Sequence, residues 1–484
     1  MSLLLADRIA LRVEEIPDVV AVVDRRESLT YAEFWERVRS AAAAMTGMRR
    51  VAVLPTSDVG SLVSVTAAMA SGVSVVLLHR HLLPEQFERV LEIARPAAVL
   101  ADPSQHRRLR HLGCDKPITE LTGCGGHAAA AATDELLVGI TSGTTGEPKL
   151  FARSQLSWAR TLDRSDAVFD IGRGDRVATP GVLDHTHFLY GALHGLTRGA
   201  TVDLRPVVDI MDAVSDTPPS NTPPSNTPLT HLYSVPTIAW DVVHAAAGQV
   251  GSVREVLSSA ARWPTTSRVA LQSVFPNASL VHFYGASELS FVSYDRGTEP
   301  GAGTLFDGVD AEIRDGLVHV RSDMLFDGYL TGSGEQPLHA GPVEGWMTVG
   351  DRGTVDGRVL TLLGRAGDTL IRAGLNVELA PIEAAALAVD GVQQAACIAL
   401  SDDRMGEVPA LAVVLGAEQP SVAELRRHLR GTLPSPSMPT RILVVPELPR
   451  TPRGKLDRQA LVATLATERT APSTTNHSVS APSE

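Results

Sequence analysis

Short apolar segments alternate with helical patterns along the first 140 residues, and this alternation restricts the possible folds more than any other feature. Apolar runs at 51–54, 73–78 and 97–100 have the length of buried strands, and helical patterns lie between them. Strands separated by helices indicate a mostly parallel sheet covered by helices. Before the first run, Thr30 and Glu33 have the spacing of a capping box, which predicts a helix over residues 31–48.

The length of 484 residues exceeds what one hydrophobic core usually holds, so we expect more than one domain. Near residue 364 a hairpin-like segment gives way to a pattern of strand, helix and two further strands. We predict an α/β fold (mixed α/β and α+β) with a large N-terminal domain of helix-covered β-sheets and a small mobile C-terminal α+β domain. The predicted regions are an N-terminal domain at 1–364, a C-terminal lid domain at 365–465 and a disordered tail at 466–484.

A repeated five-residue unit, Thr-Pro-Pro-Ser-Asn, occupies residues 217–228. Its composition of proline and small polar residues cannot build a core. We therefore predict a flexible loop over 215–229 that extends the N-terminal domain.

Composition limits the partners and the compartment. The formal net charge is −12, which argues against nucleic acid as a partner. Apolar runs fall short of the roughly 20 residues of a membrane helix, so we expect no membrane insertion. Residues 1–6 lack the basic and apolar segments of a secretory signal. Three scattered cysteines, Cys114, Cys124 and Cys397, favour neither a disulfide framework nor a zinc site, and we expect a cytoplasmic protein.

The segment from Thr141 to Lys149 reads Thr-Ser-Gly-Thr-Thr-Gly-Glu-Pro-Lys and follows an apolar run at 136–140. Glycines at two positions allow a close approach of the backbone, and the hydroxyls and the lysine suit an oligophosphate. ATP is the first ligand that this pattern indicates. A plain polar surface turn and a Walker-type kinase loop are the alternatives. The Walker pattern requires Ser or Thr directly after the lysine, whereas Leu150 stands there.

Four further segments carry residues whose side chains suit ligand binding or catalysis. Tyr284 to Glu288 form a turn with an aromatic ring and a carboxylate, which suit a purine face and Mg²⁺. Asp351 follows a strand and a glycine, where it can accept hydrogen bonds from a ribose. Arg365 supplies a cation at the predicted boundary, and Lys455 lies at the tip of a basic, proline-flanked turn.

These segments, in this order, resemble the adenylate-forming superfamily of acyl- and aryl-CoA synthetases, adenylation domains of nonribosomal peptide synthetases, and luciferases. The resemblance extends over about residues 5–465 and includes the Gly328-Tyr329 pair. It implies an enzyme that uses ATP and Mg²⁺ to join a carboxylic acid to AMP with release of pyrophosphate. Transfer to the thiol of coenzyme A or of a carrier-protein phosphopantetheine follows.

The resemblance also implies roles for individual residues. Catalytic roles fall to Lys455, Glu288 and Thr145, and Glu288 is the expected Mg²⁺ ligand. The residues expected to bind ATP are Thr141, Ser142, Gly143, Thr144, Thr145, Gly146, Lys149, Tyr284, Gly285, Ala286, Ser287, Asp351 and Arg365. The domain hinge is expected at Gly367 and Asp368, and Gly374 is a candidate for the thiol site.

The resemblance places the acid pocket at Asp184, His185, His187, Tyr233 and Val235. An aspartate at Asp184 is typical of amino-acid adenylation, whereas histidines in this stretch fit acyl or aryl acids better, and we expect an apolar or aromatic acid. Both histidines also fit as ordinary core residues. This chain shows no carrier segment of its own, so the acceptor is expected in trans. A stand-alone amino-acid adenylation enzyme and an inactive binding protein of the same fold are the alternatives.

Overall fold

The structure is a computed structural model, and it divides the chain into two compact units. The first comprises Met1–Val349 and Gly353–Thr361, and the second comprises Gly350–Arg352 and Leu362–Glu484. The residues that the structure describes are 3–126, 128–142, 148–213, 227–260, 263, 265–298, 303–330, 337–339, 341–365, 369–372, 375–402, 405–416, 419–450 and 456–467. Within these ranges no helix has both the length and the apolar character needed to cross a membrane. The repeat, apart from its last residues, and the tail from 468 onward lie outside them.

The α-helices of the described residues are, in chain order, α1 (Leu5–Glu15), α2 (Tyr31–Ala44), α3 (Val59–Ala70), α4 (Pro84–Ala94), α5 (His106–His111), α6 (Gln155–Val168), α7 (Thr186–Arg198), α8 (Val207–Ala213), α9 (Pro236–Ala245), α10 (Thr265–Val274), α11 (Leu379–Leu387), α12 (Val422–Thr432) and α13 (Arg458–Thr467).

The strands of the first part of the chain are β1 (Val20–Val23), β2 (Ser28–Thr30), β3 (Arg50–Leu54), β4 (Ser74–Leu77), β5 (Val99–Ala101), β6 (Glu135–Ser142), β7 (Pro148–Ser154), β8 (Arg176–Ala178), β9 (Thr201–Asp203), β10 (His231–Ser234), β11 (Glu255–Ser258), β12 (Ser279–Ala286), β13 (Ser290–Arg296) and β14 (Gly303–Leu305). The remaining strands are β15 (Asp310–Arg314), β16 (Leu317–Arg321), β17 (Gly328–Leu330), β18 (Pro337–His339), β19 (Trp346–Met347), β20 (Asp351–Asp356), β21 (Val359–Arg365), β22 (Thr369–Arg372), β23 (Leu375–Glu378), β24 (Val392–Asp402), β25 (Gly406–Leu415) and β26 (Arg441–Val444).

The described strands form three sheets. The largest has fourteen strands in the order β15-β16-β20-β21-β14-β13-β12-β11-β10-β8-β9-β1-β2, with β19 paired to β16. A second sheet has the order β18-β17-β7-β6-β4-β3-β5, and the third has the order β23-β22-β25-β24 with β26 beside β25. Parallel pairs dominate where strands alternate with helices, as in β3 with β4 and β10 with β11. The predicted α/β class with helix-covered sheets is confirmed.

Helix α2 begins as the sequence predicts. Thr30 Oγ1 accepts a hydrogen bond from the Glu33 amide at 3.2 Å, and a Glu33 carboxylate oxygen accepts one from the Thr30 amide at 2.8 Å. The prediction that the helix extends to residue 48 was wrong, because it ends at Ala44. Gly47 has a φ of +82°, a backbone conformation that no helix contains, so the chain turns toward β3.

Two helices are buried on all sides between the first two sheets. Eleven of the twelve residues of α3 and eleven of the thirteen residues of α7 are buried. One apolar cluster contains Val75 of the seven-stranded sheet and Val202 of the fourteen-stranded sheet, together with residues of α1, α2, α3, α6 and α7. A helix that is buried all round needs packing partners on every side. Helix α3 packs on β3, β4 and α2, and α7 packs on β8, β9, β10 and α1.

The outer faces of both sheets are covered by other helices. Helices α4 and α5 pack on the seven-stranded sheet through side chains such as Phe87 and Leu109. Helices α8, α9 and α10 pack on the fourteen-stranded sheet around Trp263 and Phe275. In the second unit, α11 and α12 cover one face of the five-stranded sheet, and Leu461 of α13 packs on the other.

A buried group of charges joins the ends of β8 and β9. The Asp203 carboxylate is fully buried and accepts hydrogen bonds from Arg176 Nε at 3.1 Å and from Arg205 Nε and Nη2 at 2.9 and 2.8 Å. Both guanidinium groups are also buried. Removing the carboxylate charge would leave two buried cations without their counter-charge, which is costly in a medium of low dielectric constant.

We therefore expect Asp203→Asn to lower the free energy of unfolding of the first unit by about 3 kcal/mol. Asp310→Asn is the matched control, because Asp310 pairs with Arg321 at 2.9 Å while its side chain is 61% exposed. Exposed pairs contribute at most about 1 kcal/mol. Denaturant unfolding followed by tryptophan fluorescence reports the first unit, which contains all five tryptophans of the chain. Equal unfolding midpoints for the two variants would contradict the assigned role of Asp203.

Candidate active site

The predicted phosphate loop connects two antiparallel strands of the seven-stranded sheet. Strand β6 pairs with β7 in a register that places Thr141 opposite Lys149 and Ser142 opposite Pro148. Thr141 Oγ1 donates a hydrogen bond to the carbonyl of Lys149 at 3.5 Å. The predicted ligands Gly143, Thr144, Thr145 and Gly146 lie outside the described residues. The two ends of the loop are thus held side by side at one edge of the strand pair.

The strand after the loop removes the kinase-type alternative. A Walker loop connects a strand to a helix, whose N-terminus helps to bind the phosphates. Here the residues Pro148–Ser154 continue as strand β7. Within β6, Gly139 lies under the ring of Phe151, and a Cβ atom at this position would lie 2.1 Å from that ring. The loop is therefore supported by a tightly packed strand pair and not by a helix.

The segment from Tyr284 to Glu288 spans the end of β12 and the turn that leads to β13. At Gly285 an added Cβ atom would lie 2.1 Å from the carbonyl oxygen of Ser290, so only glycine permits this close approach. Ser290 Oγ accepts a hydrogen bond from Arg153 Nη1 at 3.2 Å, and it shares a second hydrogen bond with Thr161 Oγ1 at 2.8 Å. Burial lowers the pKa of Arg153 to about 10, so its guanidinium keeps its charge near neutral pH. This buried network fixes the turn that presents the predicted adenine and Mg²⁺ residues.

The structure brings Glu288, Tyr329 and Lys149 together. Tyr329 lies on β17, which pairs with β7 so that Tyr329 faces Phe151 in the register. Its hydroxyl donates a hydrogen bond to Glu288 Oε1 at 2.6 Å, and Lys149 Nζ lies 5.7 Å from its ring centroid. Burial and the bond to Glu288 raise the pKa of Tyr329, which keeps the hydroxyl protonated and able to donate. A carboxylate, a donor and a cation thus meet beside the end of the phosphate loop.

The carboxylate of Glu288 suits Mg²⁺ that arrives with a phosphate ligand. Mg²⁺ is commonly held by one or two carboxylates, with waters and substrate phosphates completing its shell. Glu288 is nearly buried at 9% exposure, and Tyr329 occupies one of its two oxygens. In the part of the chain that the structure describes, no group of three or more His, Cys, Asp or Glu residues is arranged to hold a metal ion. The donor set fits Mg²⁺ shared with a nucleotide.

The predicted acid pocket lies where α7 begins, near the carboxyl ends of the parallel strands β10 and β11. Tyr233 is fully buried near the end of β10, and its ring lies 5.4 Å from the ring of His187. His187 Nδ1 lies 3.0 Å from Ser259 Oγ, whereas its Nε2 is buried without a hydrogen-bond partner among the described residues. Burial and the neighbouring His185 lower the pKa of His187 to about 3, so the imidazole is neutral at pH 7.

Asp184, His185 and Val235 occupy different surroundings. The Asp184 carboxylate accepts a hydrogen bond from the Arg80 amide at 3.0 Å, and it lies 3.8 Å from the Arg80 guanidinium. His185 is the N-cap residue of α7, and its ring contacts Phe188 at 6.0 Å. Val235 is the N-cap residue of α9. The Asp184 carboxylate is thus engaged with the protein's own cation and amide.

The predicted residues of the second unit are described only in part. Asp351 is buried and begins β20, after Gly350 with a φ of +83° that permits the turn into the strand. Arg365 ends β21, but its side chain is outside the described part of the structure. The hinge residues Gly367 and Asp368, the thiol-site candidate Gly374 and the catalytic candidate Lys455 lie outside the described residues. Their roles stay predictions, as do the domain boundaries at 364 and 465.

Sequence reasoning missed the contact between Tyr329 and Glu288. The two residues are 41 positions apart, and their meeting depends on the three-residue strand β17 pairing with β7. A strand so short has no detectable periodicity, and long-range pairing leaves no mark in the local sequence. The Arg153 network was also missed, because a buried arginine reads as a surface residue in the sequence.

Comparison with known proteins identifies the family. The sequence matches the AMP-binding enzyme family over residues 9–330 and the AMP-binding enzyme C-terminal domain over residues 381–455. It is 31% identical to the uncharacterized acyl-CoA ligase YhfT of Bacillus subtilis, over 92% of this chain and 95% of that protein. It is 26% identical to the putative long chain fatty acid-CoA ligase VraA of Staphylococcus epidermidis, over 67% of this chain and 70% of that protein.

A solved structure agrees with the observed architecture. The ATP-bound MatB from Rhodopseudomonas palustris superimposes with a TM-score of 0.82 and 21% sequence identity, covering 96% of this chain and 99% of that one. At this low identity the likeness shows the fold alone, and it covers both units. The chain therefore belongs to the AMP-binding enzyme family, within the adenylate-forming superfamily of AMP-forming ligases.

Proposed function

We propose that this enzyme activates an apolar or aromatic carboxylic acid with ATP and transfers the acyl group to a thiol. The observation that carries the proposal is the convergence of Glu288, Tyr329 and Lys149 beside the ends of the phosphate loop. The name of the YhfT relative, an acyl-CoA ligase, supports a thioester product. The acceptor is coenzyme A or the phosphopantetheine of a carrier protein supplied in trans.

The proposed reaction has two steps, formation of the acyl-adenylate and transfer of the acyl group to the thiol. A carboxylate oxygen attacks the α-phosphorus of ATP, the bond from that phosphorus to the bridging oxygen breaks, and pyrophosphate leaves. Charge builds on the phosphoryl oxygens in the transition state, and positioned cations and donors stabilise it. The thiolate then attacks the acyl carbon, and AMP leaves with the former carboxylate oxygen. The residues from Thr141 to Lys149 are proposed to bind the leaving pyrophosphate, and Glu288 to hold the Mg²⁺ that neutralises it.

The lysine content of the chain supports these assignments. The chain has 43 lysine and arginine residues, and only three of them are lysines, namely Lys116, Lys149 and Lys455. Two of the three stand at positions proposed to contact phosphate or carboxylate. Lysine is a compact point charge on a flexible stem, whereas arginine is a wide planar fork. The presence of lysine at these two positions, in a chain whose other basic residues are almost all arginine, supports a role for a compact cation there.

The pocket residues favour an acid without an α-ammonium group. An ammonium needs an available carboxylate, and the Asp184 carboxylate is already directed at Arg80. The rings of Phe188, Tyr233 and Phe283 pack around the neutral His187, so the surroundings of this histidine are apolar. The name of the VraA relative, a fatty acid-CoA ligase, is consistent with an apolar acid.

Acid-dependent ATP–pyrophosphate exchange tests this proposal directly. In a panel of aliphatic, aryl and amino acids, we expect exchange with aliphatic or aryl acids and none with amino acids. Parallel assays with coenzyme A, and with a phosphopantetheinylated carrier protein, identify the acceptor. Exchange with amino acids alone would favour amino-acid adenylation, and no exchange with any acid would favour an inactive binding protein.

Lys455→Ala separates the two steps. We expect loss of exchange, because the lysine is proposed to bridge the substrate carboxylate and the α-phosphate, while thioester formation from supplied acyl-adenylate is retained. Lys116→Ala is the matched control, since Lys116 is the exposed lysine that has no proposed role. Normal exchange in the Lys455 variant would refute the assignment.

Tyr329→Phe tests the contact with Glu288. Hydrogen bonds to charged groups contribute about 1.5–3 kcal/mol, so we expect kcat for exchange to fall about tenfold or more. The KM for the acid should stay near its original value. Tyr294→Phe is the control, because Tyr294 lies on β13 in the other sheet, and its ring packs on Phe306 with 4.9 Å between the ring centroids. Equal activities of the two variants would show that the Tyr329 hydroxyl has no part in the reaction.

A further inference from the structure

We propose that His194 and Asp166 are positioning residues that hold Tyr233 in place against His187 of the proposed acid pocket. This inference rests on the proposed function, because Tyr233 matters to the reaction only if the pocket takes the acid. Neither His194 nor Asp166 was expected to have a role from the sequence. They lie on α7 and α6, one layer behind the predicted pocket residues.

The three side chains form a continuous hydrogen-bonded row. The Tyr233 hydroxyl lies 2.9 Å from His194 Nδ1, and His194 Nε2 lies 2.9 Å from Asp166 Oδ1. Tyr233 and His194 are fully buried, and the rings of Phe169 and Tyr190 lie 6.1 and 5.7 Å from the His194 ring. These two rings leave the imidazole little freedom to rotate. The position of the Tyr233 hydroxyl is therefore set by a side chain that is itself fixed.

Asp166 sets the direction of the bonds. Burial by itself would raise the pKa of Asp166, but the bond from His194 and the positive charges of Arg198 and Arg8 outweigh it. Arg8 Nη1 donates to the other Asp166 oxygen at 2.9 Å. The pKa of Asp166 thus lies below its usual range, whereas burial lowers the pKa of His194. At neutral pH a carboxylate faces a neutral imidazole, so the imidazole proton must be on Nε2.

The tautomer of His194 determines the direction of its hydrogen bond with Tyr233. With its proton on Nε2, His194 offers Nδ1 as an acceptor, and the Tyr233 hydroxyl must donate its proton to it. The hydroxyl proton therefore points at His194. The face of the Tyr233 ring packs on Gly191, where an added Cβ atom would lie 2.5 Å from the ring. The hydrogen bond with His194 fixes the Tyr233 hydroxyl, and the packing on Gly191 fixes the face of its ring.

The Tyr233 ring in turn supports His187. The two rings lie 5.4 Å apart in an edge-to-face arrangement. The same His187 ring carries the buried Nε2 that has no hydrogen-bond partner within the described part of the chain. If Tyr233 lost its hydrogen bond with His194, its ring would gain freedom to tilt. His187 would then lose a packing contact that holds its ring in place. We expect this to weaken binding of the acid while leaving the phosphate residues of the two turns unchanged.

The test compares Tyr233→Phe, His194→Leu and their double variant by pyrophosphate exchange, with the best acid of the panel. We expect each single variant to raise the KM for the acid about tenfold while the KM for ATP changes less than about twofold. The double variant should match the single ones, because both substitutions break the same bond. His194→Gln should restore most of the wild-type KM, since its amide can donate to Asp166 and accept from Tyr233.

Tyr31→Phe is the matched control. Tyr31 is equally buried, and its hydroxyl donates to the carbonyls of Ala200 and Leu196 at 2.8 and 3.2 Å, at the other end of α7. We expect this variant to lower the melting temperature without changing the KM for the acid. Circular dichroism shows whether His194→Leu is folded, and Tyr233→Phe, which removes a single oxygen, provides the test if it is not.

The outcomes separate this inference from the proposed function. Wild-type enzyme without acid-dependent exchange would overturn the proposed function, and the inference with it. An active wild type whose Tyr233→Phe variant keeps the wild-type KM for the acid would contradict the inference and leave the proposed function standing. Additive effects in the double variant, or an equal rise in KM in Tyr31→Phe, would likewise overturn it.

Discussion

The packing of two buried helices between two sheets is the constraint on which the rest of the first unit depends. Helices α3 and α7 expose almost none of their residues, because α3 packs on the seven-stranded sheet, α7 packs on the fourteen-stranded sheet, and other helices cover their remaining sides. A single apolar cluster joins the inner faces of both sheets through these helices. With the sheets held this way, the ends of β6, β7, β10 and β12 have fixed positions, and residues with proposed chemical roles lie on these strand ends or in the turns beside them.

The candidate site therefore draws on segments far apart in the chain. Lys149 comes from the strand pair of the phosphate loop, Glu288 from the turn between β12 and β13, and Tyr329 from β17. Beneath them, Arg153 holds Ser290 and the backbone of Met324 in one buried network. Electrostatic groups that are held before the substrate arrives need little reorganisation during the reaction, which is what adenylyl transfer requires. The same principle applies to Tyr233 and the side chains behind it.

Local features could be predicted from the sequence, and long-range pairing could not. The strand before the phosphate loop and the capping box of Thr30 and Glu33 follow from short-range patterns, and both are present. The end of α2 was misplaced, because a run of alanines favours helix beyond the point where Gly47 turns the chain. Tyr329 and His194 acquire partners only through tertiary packing. The sequence around each residue gives no sign of its partner. In particular, a histidine in an apolar helix is most often an ordinary core residue.

Transfer of labelled oxygen tests the central claim that the site performs adenylyl transfer. The enzyme is incubated with ATP, a thiol acceptor and an acid labelled with ¹⁸O in its carboxylate, and the products are analysed by mass spectrometry. Attack of the carboxylate on the α-phosphorus predicts one labelled oxygen in AMP, together with unlabelled pyrophosphate. Label in inorganic phosphate with formation of ADP, or AMP without label, would contradict the account.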